Sequence, residues 1–465
     1  MYSKWSFALM LGVTSAAAVA SSPVATHTTK HATRVALPPG AIKQVLVIDL
    51  ENENFAATFG PGSPATYLNS TLLRQGQLVV NYWATSHASL GNYLSQVSGQ
   101  ASTPATNNDC IDLSKLPAFL GGFSNLLPGT DAPDDARHPG QVVGDGCVFP
   151  APTPGSHGAR TIGDQLDETP GALKSNRITW RMYAEDMGNN PQRDGGMPDP
   201  LGGTDCAHPA IGGADVTNVQ TPLDQYAHRH NPFIYFHSII DNPARCAQHV
   251  VPLGRLTLGV NGASDSFTGH FAEDFSKLES TPAFSFITPN VCNDGHDAVC
   301  VGLNVEGTHV GGLVAADLWL KHWMPLIFAS PAYRTGQLLV VLTFDEAGGD
   351  DASACCNEQP GPNISNPGFA PILALFGLQK PPAPGTFPYP GGGHTGAVLF
   401  NAKYIVPGSV NTTGTYNHYS ALRSYEDLLG IVSGGDDGLG HLGFAAAEGL
   451  APFGPDVFSG FPGRR

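Results

Sequence analysis

Two apolar runs of this chain are each followed by a pair of side chains that carry oxygen ligands. The runs span Gln44–Leu50 and Leu338–Phe344, and the residues directly after them are Glu51, Asn52, Asp345 and Glu346. Continuous aliphatic and β-branched runs of this length predict strands buried on both faces of a sheet. Side chains just beyond such strands lie where open α/β sheets bind ligands. Brought together, these oxygen donors predict a divalent cation site and metal-assisted chemistry.

A serine at the start of a predicted helix is the second candidate for chemistry. Ser89 follows a predicted strand and lies at the N-cap or first turn of the helix Leu90–Ser98. The unpaired amides and the positive dipole end at such a position attract a phosphate group and stabilise a developing alkoxide. Capping the helix is the commoner task of a serine here, and the two roles are compatible.

Three histidines are further candidates. His296 lies in the segment Thr288–Asp297, which also holds two carboxylates and two amides just after a predicted strand. The same segment could be an Asx-rich turn held by a neighbouring disulfide. His230 and His418 complete the set, although a single histidine is more often structural or simply exposed than functional.

The elements that must position these residues alternate along the chain. Predicted strands are Gln44–Leu50, Gln77–Trp83, Arg177–Tyr183, Phe233–Phe236, Ala283–Ile287, Leu338–Phe344 and Ile372–Phe376. Predicted helices are Leu90–Ser98, Thr161–Leu166, Gly311–Phe328 and Tyr419–Ile431. This alternation predicts an α/β fold with layers around a mostly parallel central sheet. Long Gly/Pro-rich loops in segments 100–158 and 186–229 are expected to cover the ligand end of the sheet.

The N-terminus of the chain is typical of an exported protein. Lys4 supplies a positive charge, an apolar stretch from Phe7 to Val13 follows, and Ala18–Ala20 fits a cleavage site for signal peptidase. We expect a signal peptide over residues 1–20, a flexible leader over 21–37 and a single domain over 38–465. The apolar stretch is too short to span a bilayer, so we expect a secreted or periplasmic protein without stable membrane insertion.

The cysteines and the charge agree with export. The order of the eight cysteines suggests neighbour pairs, namely Cys110 with Cys147, Cys206 with Cys246, Cys292 with Cys300, and Cys355 with Cys356. A zinc site is the alternative, but CxxC spacing is absent, and this favours structural disulfides. The formal net charge is -16, from 39 acidic and 23 basic residues. Such a surface repels nucleic acid and anionic lipid, which excludes both as docking partners.

Five motifs occur in an order that is typical of one family. They are Glu51-Asn52-x-x-Phe55, His87-x-Ser89-x-x-Asn92-Tyr93, Thr288-Pro-Asn290-x-x-Asn293-Asp294-x-His296-Asp297, Thr343-Phe-Asp345-Glu346 and His418-Tyr-Ser420. This series resembles the phosphoesterase family of secreted acid phosphatases and bacterial phospholipases C, a branch of the alkaline phosphatase superfamily. The resemblance spans residues 43–432 and implies an alkaline phosphatase-like three-layer sandwich.

The resemblance also implies roles for particular residues. A metal ion between the two oxygen-bearing pairs would be held by Glu51, Asn52, Asp345 and Glu346, with His418 as a further metal or pocket residue. Ser89 matches the family's nucleophile. His296 and His230 match histidines that line the pocket and hold phosphoryl oxygens or protonate the leaving group. Asn92 is expected to contact the phosphate.

The chain departs from the family pattern at several positions. Glu53 replaces a common histidine, and Ala88 and Gly91 stand where prolines are frequent. Gly91 is expected to loosen the helix start, because glycine carries more backbone entropy than proline. The loop after Asp345 and Glu346 lacks the aromatic-Asp-His ending common in phospholipases C, which favours a phosphatase.

We therefore expect a secreted, metal-dependent acid phosphatase that hydrolyses phosphate monoesters through a phosphoserine. A phospholipase C-type phosphodiesterase is the alternative, and Phe119, Phe123 and Phe149 could form its apolar rim or belong to the core. A non-catalytic secreted binding protein is a third possibility. Oxygen ligands admit calcium, magnesium or manganese, whereas histidine ligands would bring in zinc or iron. Small phosphate esters are the expected partners, with phospholipid as the alternative.

Overall fold

The computed structural model describes residues 34–112, 121–128, 137–154, 157–168, 178–381 and 389–460. The signal peptide expected over residues 1–20 and nearly all of the expected leader lie outside these ranges. Phe119 and Arg177, the first residue of one predicted strand, also lie outside them. The division of the chain into signal, leader and single domain stays a prediction.

An eight-stranded sheet forms the centre of the fold. Its strands, numbered in chain order, are β1 (Gln44–Leu50), β2 (Gln77–Val79), β3 (Trp180–Ala184), β4 (Val250–Pro252), β5 (Phe284–Thr288), β6 (Leu338–Phe344), β7 (Ala397–Phe400) and β8 (Ser409–Asn411). The order across the sheet is β4-β3-β5-β1-β6-β7-β2-β8. Only β7 runs antiparallel to its neighbours. The expected α/β class with a mostly parallel central sheet is confirmed.

Helices and short ladders surround the sheet. The α-helices are α1 (Phe55–Phe59), α2 (Ser89–Ser98), α3 (Ile162–Glu168), α4 (Pro191–Asp194), α5 (His237–Ile240), α6 (Pro243–His249), α7 (His270–Asp274), α8 (Gly312–Ala329), α9 (Pro331–Arg334), α10 (Pro371–Leu375) and α11 (His418–Leu428). The paired short strands are Tyr82–Trp83 with Tyr416–Asn417, Gly121–Gly122 with Ala214–Asp215, Leu127–Pro128 with Gly144–Asp145, Met197–Pro198 with Thr204–Asp205, and Arg255–Thr257 with Ser266–Thr268.

The two faces of the sheet carry separate hydrophobic layers. On β1, Val45 and Val47 pack into a core that includes residues of α2 and α11. The alternate residues Leu46 and Ile48 pack into a second core together with α8. Every residue of β1 and β6 is buried, which is why both strands are predominantly apolar rather than alternating, although β1 includes the buried polar residues Gln44 and Asp49. The arrangement is three layers, with the sheet in the middle.

Two of the predicted strands are wrong. Phe233–Phe236 contributes to a 3₁₀-helix over Pro232–Tyr235, and Ile372–Phe376 lies largely in α10. A proline occupies the first helical position in both cases, where its fixed φ favours a helical start. Short apolar runs cannot distinguish a buried strand from a helical turn by periodicity. The remaining predicted strands and all four predicted helices are present, with shifted ends in most cases.

The predicted disulfides are confirmed. Cysteine pairs form at Cys110–Cys147, Cys206–Cys246, Cys292–Cys300 and Cys355–Cys356. Among the described residues, no helix has both the length and the apolar character needed to cross a membrane.

A buried carboxyl group in α11 gives the fold a testable pH dependence. Glu426 accepts a hydrogen bond from Leu442 N at 3.0 Å, but its Oε2 meets no donor in the described part of the chain. Burial raises the pKa of Glu426 well above its ordinary value. A carboxyl group with a raised pKa contributes stability that is fully present below the unfolded-state pKa, about 4.3, and is lost as the pH rises through the folded-state pKa.

Glu426→Gln should therefore raise the melting temperature by several degrees at pH 8 and leave it nearly unchanged at pH 4. Glutamine resembles the protonated acid and keeps an acceptor for Leu442 N. Scanning calorimetry at both pH values measures the effect, and Glu279→Gln, at an exposed position, is the control. Equal shifts at pH 4 and pH 8 would contradict the assignment.

Candidate active site

The carboxyl ends of three neighbouring strands carry the candidate residues. Strand β1 lies between β5 and β6, and all three run parallel. Asp345 N donates to Leu50 O at 2.8 Å, and Glu51 N donates to Asp294 O at 2.9 Å. The first bond joins the residue after β6 to the end of β1, and the second joins the residue after β1 to the loop after β5. The structure thus brings both oxygen-bearing pairs and the His296 loop to one edge of the sheet.

The side chains of Asn52, Asp345 and Glu346 meet in a cluster of oxygen atoms. Asn52 has a left-handed backbone (φ 45°), which asparagine adopts more readily than most residues. Its backbone N–H donates to Asp345 Oδ1 at 3.0 Å, and Glu346 N donates to the same oxygen at 2.6 Å. Asp345 Oδ2 is buried and meets no hydrogen-bond donor among the described residues. A buried carboxylate oxygen of this kind is unfavourable unless a cation approaches it.

The amide group of Asn52 has two possible orientations. With its nitrogen toward the carboxylates, it donates to Asp345 Oδ1 (3.2 Å) and Glu346 Oε1 (3.1 Å), and its oxygen accepts from His296 Nε2 (3.0 Å). With its oxygen toward the carboxylates, three acceptors face one another without a proton between them. The first orientation suits the metal-free protein, and a bound cation would stabilise the second. The residues present therefore fit a divalent metal ion.

Glu51, His230 and Asp294 form a second group that could hold a metal ion. One ligand atom from each lies within 4.8 Å of the others, and all three residues are buried. His230 Nε2 lies 3.1 Å from Glu51 Oε1, and His230 Nδ1 lies 3.6 Å from Asp294 Oδ2. Burial lowers the pKa of His230 well below its ordinary value, so the neutral ring can offer a lone pair. Asp294 was not among the site residues predicted from the sequence.

Ser89 is the first residue of α2, and its hydroxyl faces the carboxylates. Its Oγ donates to Glu51 Oε2 at 3.0 Å. The N-cap position belongs to Ala88, and the Leu90 amide of the first turn is bound by Asp109 Oδ1 at 2.9 Å. The capping role considered for Ser89 is therefore not seen. A hydroxyl that already hydrogen-bonds a buried carboxylate is well placed to give up its proton to that group.

Gly91 occupies a position with no room for a side chain. A Cβ atom there would lie 2.1 Å from Ser102 Oγ and 2.7 Å from Ser86 Oγ. These two hydroxyl groups hydrogen-bond each other at 2.7 Å. The segment after α2 thus packs directly against Gly91, and the expected loosening of the helix start stays a prediction.

The side chain of Asn92 is engaged by the turn that precedes α2. Its Oδ1 accepts from Thr85 N and Ser86 N, both at 2.9 Å, and its Nδ2 donates to Ser86 O at 2.8 Å. A longer contact of 3.4 Å joins Nδ2 to Glu346 Oε2. We infer that Asn92 positions the turn and Glu346, which differs from the phosphate contact expected from the sequence.

His296 lies at the edge of the site, with 44% of its side chain exposed. Its Nδ1 lies 2.8 Å from Asp297 Oδ1. Burial disfavours the charged ring, but the hydrogen bond to Asp297 and the charges of Glu51 and Asp294 outweigh it and raise the pKa of His296 to about 9. His296 therefore faces the carboxylates as a cation at neutral and acidic pH.

His418 is buried behind the oxygen cluster. Its Nε2 lies 2.7 Å from the backbone oxygen of Asp345, and its Nδ1 lies 3.1 Å from Tyr82 Oη. Burial lowers its pKa to about 4, so the ring is neutral at the pH of most assays. Because both nitrogens have partners, we infer that His418 supports the end of β6. This differs from the metal ligand expected from the sequence.

Other residues that shape the site received no role from the sequence. Tyr93 Oη donates to Glu51 Oε1 at 2.6 Å, and its ring stacks on His230 at 5.3 Å. Tyr93 lies one turn after Ser89, so the i, i+4 spacing could have indicated it. Arg229 Nε lies 3.8 Å from Asp109 Oδ2. No local pattern marks this pair, because the fold brings together two distant loop segments.

His87 also received no role, although it lies in one of the five motifs. Its Nδ1 lies 2.6 Å from Glu346 Oε2, and both side chains are buried. Burial disfavours the charged ring, yet Glu346 outweighs it and the pKa of His87 is raised. The ring therefore fixes the orientation of a candidate metal ligand.

His87→Gln should weaken the affinity for the activating metal about 10- to 100-fold, the usual effect of losing a residue that orients a ligand. Turnover at saturating metal should change much less. Activity measured against metal concentration gives both values. His249→Gln, which removes another buried histidine with a backbone partner, is the control. A variant with wild-type metal affinity would rule out this role for His87.

A comparison with known families shows which family the chain belongs to. A model described as the phosphoesterase family matches residues 63–432, which is most of the sequence. The chain therefore belongs to the phosphoesterase family. Ser89, His296, Asp345 and His418 lie within the matched residues, whereas Glu51 and Asn52 precede them.

Curated relatives are similar over part of their length. A probable acid phosphatase of Kluyveromyces lactis is 24% identical over 306 residues, which is 66% of this chain and 48% of that protein. An acid phosphatase of Aspergillus fumigatus is 23% identical over 278 residues, or 60% of this chain and 40% of the relative. A phosphate-repressible acid phosphatase of Penicillium chrysogenum is 24% identical over 277 residues, which is 60% of this chain and 42% of the relative. The match spans less than half of each relative.

Solved structures show a weaker likeness. A protein in the alkaline phosphatase superfamily from Vibrio parahaemolyticus covers 87% of this chain and 71% of its own, with 12% identity and a TM-score of 0.39. A structural similarity with so low a TM-score does not support an inference about function.

Proposed function

We propose that this protein is a secreted, metal-dependent acid phosphatase that hydrolyses small phosphate monoesters through a phosphoserine at Ser89. Membership of the phosphoesterase family and the names of its relatives support this proposal. The observation that carries it is the hydrogen bond of 3.0 Å from Ser89 Oγ to Glu51 Oε2, beside the oxygen cluster of Asp345. A binding protein would need no such hydroxyl at the start of a helix.

The candidate ligands for the metal are Glu51, Asn52, Asp345 and Glu346, with His230 and Asp294 close to Glu51. When bound, a divalent cation supplies positive charge that stabilises the Ser89 alkoxide and the charge on the phosphoryl oxygens. The donors are mostly oxygens, and the nitrogen of His230 widens the choice among calcium, magnesium, manganese, zinc and iron.

In the first step, Ser89 Oγ attacks phosphorus, the bond from phosphorus to the leaving oxygen breaks, and Glu51 takes the hydroxyl proton. His296, a cation beside the carboxylates, donates a proton to the leaving oxygen. In the second step, water attacks the phosphoserine, the bond from Ser89 Oγ to phosphorus breaks, and Glu51 returns the proton. The water gives its proton back to His296, so the residues end as they began.

A phospholipid substrate has less support than a small monoester. Phe123 and Phe149 were candidates for an apolar rim, but both are buried in the core, with 1% and 0% exposure. They cannot contact acyl chains in this arrangement. Arg229 and His296 instead place positive charge beside the site, which suits a dianionic phosphate group.

The test is a matched assay of the purified protein. A phosphate monoester, a phosphate diester and phosphatidylcholine would be offered between about pH 4 and pH 8, which brackets the titration of histidine. Each would be measured with and without a chelator. We expect turnover of the monoester, lost on chelation and recovered on addition of metal. Preferential turnover of phosphatidylcholine would favour the phospholipase, and no turnover of any substrate would favour a binding protein.

Export of the protein is supported by its disulfides. The protein contains four disulfides, which form and persist in oxidising compartments and are rare in the cytosol. Together with the signal-like pattern of residues 1–20, they favour a secreted or periplasmic location. N-terminal sequencing of protein recovered outside the cytoplasm should find the first twenty residues removed.

A further inference from the structure

Three metal-ligating side chains meet outside the proposed active site. Asp199 lies in the turn between the short strands Met197–Pro198 and Thr204–Asp205, which pair antiparallel. Asp205 ends the second of these strands, and His270 is the first residue of α7. The cluster therefore joins a loop of the Gly/Pro-rich segment 186–229 to a helix beside the central sheet.

The geometry of the cluster is compact. His270 Nε2 lies 3.0 Å from Asp199 Oδ2. One ligand atom of each of the three residues lies within 4.8 Å of the other two. The side chain of Asp199 is fully buried, and Asp205 is 8% exposed. Two carboxylates are thus held close together and away from water.

One oxygen of the cluster has no partner. Asp205 Oδ1 is buried, and no hydrogen-bond donor reaches it within the described ranges. Arg181 is a nearby cation, but its guanidinium contacts Asp274 at 3.3 Å and the backbone oxygen of Gln248. Within the described residues, Arg181 therefore acts on Asp205 through its charge alone, and Asp205 Oδ1 is left without a hydrogen bond.

We propose that Asp199, Asp205 and His270 bind a divalent transition metal ion, with Zn²⁺ as the preferred ion, in a structural site separate from the active site. Two carboxylates and one imidazole are a donor set that zinc accepts, with water at the remaining position. Bonds of about 2.0–2.2 Å place tetrahedral ligands about 3.3 Å apart. The present separations are 3.0 Å between His270 Nε2 and Asp199 Oδ2 and at most 4.8 Å for the other pairs, so the ligand atoms must close around the ion when it binds.

Such an ion would fasten the segment 186–229 to α7. The next residue, Cys206, is bonded to Cys246 in α6, so the strand that carries Asp205 is already fixed. A fixed strand lowers the entropy lost on metal binding. The pair His237–Asp241 offers a contrast, because its nitrogen and oxygen lie 2.7 Å apart with Asp241 exposed, and no third ligand joins it among the described residues.

Zinc stoichiometry of the full-length protein tests the proposal. Metal-free protein would be dialysed against Zn²⁺ and its bound metal counted by mass spectrometry, for wild type, Asp205→Asn, His270→Gln and the control Asp241→Asn. We expect Asp205→Asn and His270→Gln each to bind one zinc ion fewer than wild type and Asp241→Asn. The rise in melting temperature caused by Zn²⁺ should shrink in the same two variants. Phosphatase activity with the activating metal should be unchanged in Asp205→Asn.

Measurements in a second genetic background, Asp345→Asn, distinguish the zinc ion at Asp205 from the metal ion of the active site. In Asp345→Asn, the zinc ion at Asp205 should remain, and Asp205→Asn added to that background should remove it. The proposal is overturned if the stoichiometry of His270→Gln equals that of Asp241→Asn. It is equally overturned if Asp205→Asn has no effect in the Asp345→Asn background. Should Asp205→Asn fail to fold, the His270→Gln comparison decides.

Discussion

Ser89→Ala is expected to reduce the turnover of phosphate monoesters by at least about 10³-fold, because the nucleophile is lost while the carboxylates remain. No phosphorylated protein should be recovered by mass spectrometry after an acid quench, whereas wild type should carry the modification at Ser89. The variant should fold and bind metal normally. Its hydroxyl makes no cap to the helix, which starts after Ala88.

Ser98→Ala is the matched control for this variant. Ser98 lies at the other end of the same helix, is equally buried, and donates to Leu94 O at 2.7 Å. Ser98→Ala should keep wild-type turnover. Its loss of stability should be similar to that of Ser89→Ala. Full turnover in Ser89→Ala would show that phosphoryl transfer does not pass through this serine, and a direct attack by water would then be the better mechanism.

Asp345→Asn should change activity and stability in opposite directions. We expect loss of the activating metal and a decrease in turnover of at least about 10³-fold, because a charged ligand becomes neutral. In the presence of chelator, however, the variant should melt at a higher temperature than wild type. Burial, with Glu51 and Glu346 nearby, raises the pKa of Asp345 well above its ordinary value, so its charge destabilises the metal-free fold.

Asp317→Asn is the control for the stability measurement. Asp317 is also buried, but its carboxylate accepts from Tyr67 N and Leu68 N at 2.8 and 2.7 Å. Its substitution should lower the melting temperature with or without metal. Metal content, turnover and calorimetry would be measured on the same preparations. If Asp345→Asn melts below wild type in chelator, the like-charge cluster is not a source of instability.

The sequence predicted the parts of the fold that local patterns determine. Strands β1 and β6 have the predicted bounds residue for residue, since both are buried on two faces and bounded by polar residues. Strands β4, β7 and β8 were missed. Each has three or four residues, which is too short for a periodic pattern to separate it from a loop.

In the site, too, residues next to predicted strands and helices were predicted, whereas contacts between distant segments were not. Glu51, Ser89 and Asp345 were recognisable because each directly follows a strand or opens a helix. The pairing of Asp109 with Leu90 N depends on a turn 19 residues away, so no local pattern could reveal it. His418 lies beside the candidate metal ligand Asp345, but the sequence could not show that a backbone oxygen occupies its Nε2.

The absence of space at Gly91 has an evolutionary consequence. The hydroxyls of Ser86 and Ser102 close over this glycine, so any larger residue requires these side chains to move or to be replaced. Substitutions at positions 91 and 102 should therefore be coupled. We expect a larger residue at position 91 to be tolerated better together with a smaller residue at position 102 than alone.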